Sequence, residues 1–147
     1  MDFDTAVKLN IYETIAETTR MPTAVDMAQT LNASVADVEA AFVRLQQKRL
    51  LVPEPEDPSH IRMAPPFSGI ETPFLVRVGE KSYYANCVWD AYGVAAALQR
   101  DAVVDTADGY TGEPLTMEVR RGRAVPASYA VHIAVPAAQW WADIVYT

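Results

Sequence analysis

"SYYANCVWDAYGVAAALQ", residues 82–99, changes its period in the middle. The first part, "SYYANC", is rich in β-formers and reads as a strand ending near Cys87. The second part, "VWDAYGVAAALQ" (88–99), reads as a helix. Trp89, Gly93 and Ala96 fall along one side, and the run from Ala95 to Leu98 consists of strong helix formers. Upstream, "PFLVRV" (73–78) alternates like a strand, and "GEK" turns it back. Downstream, "DAVVDTA" (101–107) and "LTMEVR" (115–120) read as strands around the glycine-containing loop "DGYTGEP". "RGRAVP" reads as a turn and "SYAVHIAVP" (128–136) as a further strand. One helix among mostly antiparallel strands defines an α+β module.

Cys87, the only cysteine in the chain, stands where strand passes into helix, and Asp90 follows three residues on. Unpaired backbone N–H groups and the positive end of the helix dipole favour an anion at that point. A thiol so placed is expected to have a lowered pKa and so more of the nucleophilic, metal-binding thiolate. Asp90 lies on the same helix face, as a proton donor or acceptor beside a nucleophile. The plainer alternative stays open. Free cysteine is among the most buried residue types, and Asp is common in a first helical turn for its charge alone.

Three helices precede this module. Residues 4–19 carry Val7, Ile11, Ile15 and Thr18 at helical spacing. Thr23 caps a short helix with Val25, Met27, Ala28 and Leu31. Ser34 caps a third, with Asp37 in its first turn and Val38, Ala41, Phe42 and Leu45 on one face. "RLLVPEPEDPSHIRMA" then reads as two short strands around a loop. This order suggests a winged helix-turn-helix over residues 1–66, with the α+β module over 67–147. The third helix would be the recognition helix. It opens with Asp37 and Glu39, and the hairpin loop carries Glu54, Glu56 and Asp57. Those acids would repel phosphate, so a packing or partner-facing role is expected rather than DNA binding.

Composition agrees. The formal net charge of −7 argues against nucleic-acid or anionic-membrane partners. With 50% apolar and 21% charged residues the chain has a globular profile, and no run is long and apolar enough for a membrane span. One cysteine permits no internal disulfide. Without a secretory leader in "MDFDTAVKLN", the cytoplasm is the expected location.

Residues 66–74, "PFSGIETPF", the run "YANCVWDAYG" (84–93), "DA" (101–102), "GEPL" (112–115) and "VPAAQWWADIVYT" (135–147) resemble the organomercurial (alkylmercury) lyase family. The likeness extends over about residues 20–147, because that family also begins with a winged-helix-like module that does not bind DNA. The resemblance implies cleavage of a carbon–mercury bond, with no organic cofactor. A thiolate captures the mercury, a second cysteine joins it, and an aspartate protonates the departing carbon. Cys87 matches the first cysteine, and so the mercury ligand, and Asp90 matches the aspartate. Apart from the resemblance, the aromatics Tyr83, Tyr84, Trp89 and Tyr92 beside Cys87 could line an apolar substrate pocket or belong to the core. Asn86 could orient the turn or cap the helix. Tyr84, Asn86 and Trp89 are the expected substrate contacts.

The family's second cysteine would fall just after "WWADIVYT", beyond Thr147. The chain is therefore read as a truncated or divergent member. Three accounts stay open: a fragment, a short homologue completed by another polypeptide, or a member whose Cys87 and Asp90 serve a different elimination. A one-thiol site implies weak or absent lyase activity for this chain alone. A non-catalytic scaffold subunit is the competing reading, and tolerance of Cys87→Ser would separate the two. Trp140 and Trp141 are expected to leave an apolar patch and hence self-association or a partner chain. His60 is expected to be exposed in the hairpin, and His132 to be a strand residue rather than a second base.

Overall fold

The computed structural model describes residues 1–145. Helix α1 (Phe3–Thr18) is capped by Asp2, whose carboxylate accepts from the Thr5 amide at 3.1 Å. It buries Val7, Ile11 and Ile15. Helix α2 (Ala24–Leu31) starts with a reciprocal capping box. The Asp26 amide donates to Thr23 Oγ1 at 3.2 Å, and the Thr23 amide donates to Asp26 Oδ2 at 2.8 Å. Helix α3 (Val35–Gln47), capped by Ser34, buries Val38, Ala41, Phe42 and Leu45. Each fully buried side chain of this size contributes about 1.5–3 kcal/mol. The α1–α3 pairing owes more to that burial than to the surface pair of Asp4 with Arg44 (2.8 Å) and Lys48 (3.2 Å).

A three-stranded antiparallel sheet follows, in the order β1 (Val52–Pro53), β2 (Ile61–Ala64), β3 (Phe67–Ser68). The expected two-stranded hairpin thus gains a third strand from within "PFSGIETPF". A second sheet comprises β4 (Leu75–Val78), β5 (Lys81–Tyr84), β6 (Ala102–Ala107), β7 (Pro114–Arg120) and β8 (Arg123–Val125). Its strand order is β5-β4-β6-β7-β8, and every pairing is antiparallel. Helix α4 (Val88–Leu98) connects β5 to β6 and buries Ala91, Val94 and Ala95. The α+β class expected from sequence is the observed class.

One expectation fails. Residues 128–136 form no strand. The last strand is β8, reached through a tight turn in which Arg121 and Gly122 both have positive φ (51° and 71°). Pro126 then denies the ladder its next N–H. The alternation beyond it has no buried face, since Tyr129, Val131 and Ile133 are all exposed. A short 3-10 helix, Ala137–Ala142, follows.

One continuous core runs from Val7 and Phe42 through Ala64 and Phe67 to Val76 and Val104. Polar bonds fasten α1 to the second sheet and to the turn between β2 and β3. Lys81 Nζ (2.8 Å) and Tyr83 Oη (2.9 Å) both donate to the Ala16 carbonyl, and Tyr12 Oη donates to the Pro65 carbonyl at 2.8 Å. The Phe67 ring lies between those of Tyr12 and Tyr83, with centroids 6.2 and 5.4 Å away.

Candidate active site at the start of the fourth helix

The strand-to-helix junction is held from three sides. The Ala85 amide donates to the Phe74 carbonyl at 3.0 Å, Thr72 Oγ1 donates to the Ala85 carbonyl at 2.6 Å, and Ala85 bridges to Phe67. Cys87 follows as the N-cap of α4, with extended backbone (φ −155°, ψ −179°). Its carbonyl accepts the first helical bond, from Ala91 at 2.9 Å. A cysteine therefore stands where Ser, Thr or Asp is the usual choice. Its sulfur makes no capping hydrogen bond, although the amides of Asp90 and Trp89 lie near enough to favour the thiolate.

These amides do not decide the thiol's acidity. Burial pushes the Cys87 pKa up, and the nearby Asp90 carboxylate pushes it the same way. The lowered pKa expected from a helix N-terminus is therefore corrected, because desolvation of the thiolate outweighs the amide dipoles. Asp90 is also raised by burial, opposed by a hydrogen bond from Asn86. Both groups thus favour their protonated forms more than free side chains do.

Asn86 Nδ2 donates to Asp90 Oδ2 at 2.8 Å and to the Phe67 carbonyl at 3.3 Å. Among the described residues, Asn86 Oδ1 is buried without a hydrogen-bond partner. Tyr12 lies within range of the Asp90 charge. Its hydroxyl pKa is pushed up to about 12 by burial and by the charge of Asp90. Nothing in the local pattern of α1 marks Tyr12 as a neighbour of this site. Only the tertiary fold brings the two within electrostatic range.

The expected site residues divide. Cys87, Asp90 and Asn86 come together. Trp89 points outward, 62% exposed, onto an open groove of about 490 Å³ that it lines with Ile133–Ala137 and Trp140. Tyr84 faces elsewhere, with its hydroxyl donating to Glu71 Oε1 at 3.0 Å. Tyr83 is a core residue, and Tyr92 Oη meets Met117 Sδ at 3.2 Å. His60 is exposed and paired with Asp57 at 2.7 Å. His132 is exposed in the irregular segment after β8, not in a strand. Among the described residues no group of three His, Cys, Asp or Glu side chains is placed to hold a metal ion, and no helix is long and apolar enough to cross a membrane.

A family model described as MerB, alkylmercury lyase, matches residues 67–147, more than half of the chain. Among solved structures, the mercury-bound form of MerB2 is similar with a TM-score of 0.67 at 21% identity. The alignment covers 87% of this chain and 62% of that one, so this chain spans less than two thirds of that protein's length. That likeness shows the fold. No curated protein matches.

Proposed function

Because the chain belongs to the alkylmercury lyase family, we propose that Cys87 captures an organomercurial and that Asp90 protonates the carbon leaving it. The observation that carries this reading is the half-buried Asp90 carboxyl, raised in pKa by burial, one turn into the helix that Cys87 caps. A carboxyl that keeps its proton more readily than usual is suited to general-acid work.

The steps balance as follows. R–Hg–X meets the Cys87 thiol and the Asp90 carboxylate. Sulfur displaces X⁻ from mercury, and the thiol proton passes to Asp90. A second thiolate then adds to mercury. The Asp90 proton goes to the carbon, the carbon–mercury electron pair forms the new C–H bond, and R–H departs. Hg(II) stays between the two sulfurs, and Asp90 is a carboxylate again. Sulfur suits soft mercury as thiolates suit other soft metals. Residues 1–147 contain one cysteine, so the second thiolate comes from outside them, and a small thiol supplies it in the test below. No organic cofactor enters these steps.

Trp89, on its open groove, is the favoured contact for the organic group; Tyr84 could add only its ring. The helices of residues 1–66 serve in this account as the rear support of a module spanning 67–147, in the cytoplasm and without a nucleic-acid role. Tyr129, Val131, Ile133 and Val145 are exposed apolar side chains, and coverage of some of them by another chain is part of this account, which sedimentation would detect. A non-catalytic scaffold is the competing reading, and one experiment separates the two. Titration with a phenylmercury salt, followed by intact-mass spectrometry, is expected to give one adduct, lost in Cys87→Ser, with benzene released once a small thiol is added. An adduct that never releases benzene, with or without thiol, would favour the scaffold.

A further inference from the structure

We propose that Asn86 is a positioning residue, whose amide, anchored on the Phe67 carbonyl, fixes the Asp90 carboxyl toward the Cys87 end of α4. This rests on the reading of Asp90 as the proton donor, and it gives Asn86 a role toward that carboxyl rather than toward substrate.

Geometry carries the inference. The Asn86 Nδ2 group has two acceptors, Asp90 Oδ2 at 2.8 Å and the Phe67 carbonyl at 3.3 Å. The second is a backbone carbonyl of β3, and the Phe67 ring packs against those of Tyr12 and Tyr83, so the amide is anchored on a residue of the core. Asn86 lies just before the N-cap, outside α4, so its bond ties the first helical turn to the sheet edge instead of repeating a bond within the helix. Its Oδ1 is buried and unpaired among the described residues, an arrangement that costs stability. A residue selected only for packing would not need that amide. One that must hand a donor to a half-buried carboxyl does.

The bond also sets a direction. A donor to the ionised carboxyl opposes the effect of burial, so it keeps Asp90 able to accept the thiol proton as well as return it. Without it the carboxyl gains freedom to rotate and loses its stabilised anion.

The test uses the full chain and two variants, Asn86→Leu, of similar size without a donor, and Asn86→Ala, should the first fail to fold. The direct readout is the side-chain carboxyl ¹³C titration of Asp90, assigned by its absence in Asp90→Asn. The titration midpoint is expected to move upward in both variants, while the mass of the phenylmercury adduct on Cys87 is unchanged. Benzene release per adduct, in excess small thiol, is expected to fall at least tenfold. In the Asp90→Asn background the same change is expected to have no further effect on release. An unmoved midpoint, or an equal loss of release with Asp90 already removed, would overturn the positioning role. If the wild-type chain releases no benzene, the lyase reading fails separately, and the midpoint still decides whether Asn86 controls Asp90.

Discussion

The Tyr12 hydroxyl donates to the Pro65 carbonyl across 2.8 Å, which joins the first helix to the segment that leads into the site. The same ring stands edge-on to Phe67 and feels the charge of Asp90. Tyr12→Phe keeps the ring and deletes the bond. It leaves the Pro65 carbonyl short of a partner, so it should destabilise the chain by about 1–2 kcal/mol. Urea denaturation monitored by circular dichroism measures this; an unchanged midpoint would mean the bond contributes nothing.

Asp90 should carry a stability cost at neutral pH. Its pKa is raised in the fold, so stability is whole below the ordinary carboxylate range and is lost as pH rises through the folded-state value. Asp90→Asn is nearly isosteric and cannot ionise. The variant should therefore be the more stable protein at pH 7, with the advantage vanishing toward pH 3. Thermal melts across that range provide the check, and a variant that is less stable at pH 7 would refute the assignment.

The thiol responds to the same carboxylate. Burial leads and Asp90 assists in raising the Cys87 pKa. Iodoacetamide should therefore alkylate the wild-type chain with a midpoint on the alkaline side of an ordinary cysteine. Asp90→Asn should move that midpoint down, though burial should keep it from falling far. An upward move would contradict the geometry.

Gly69 tests the hairpin that supplies Phe67. A Cβ at this position would overlap the Ile61 carbonyl oxygen and lie 3.1 Å from that of Arg62. Both are backbone atoms with little room to yield. Gly69→Ala should cost about 1–3 kcal/mol, near the upper end, and should slow any benzene release. Equal denaturation midpoints for the two proteins would show that β2 and β3 can separate freely.

Local chemistry made much of this fold legible. Thr23 and Ser34 announced two helix starts, and the change of period at Cys87 announced the junction that holds the site. Features that depend on distant residues were not legible. Phe67 and Ser68 were too short a run to read as a strand until β2 lay beside them. The alternation of residues 128–136 looked like a strand, but Pro126 ends the ladder and no face is buried. The lowered Cys87 pKa expected from the helix terminus fails for the same reason. The helix terminus is visible in sequence, whereas the burial that overrides it depends on packing around the site. The bond from Asn86 to the Phe67 carbonyl was not legible either, since it needs β3.

The central claim is that Cys87 holds mercury while Asp90 delivers the proton. It is tested most directly by single-turnover benzene release from a phenylmercury salt in D₂O with excess small thiol. The account predicts benzene carrying one deuterium, released about 100-fold or more slowly by Asp90→Asn, with the Cys87 adduct still formed. Release by Cys87→Ser or Asp90→Asn at the wild-type rate would contradict it.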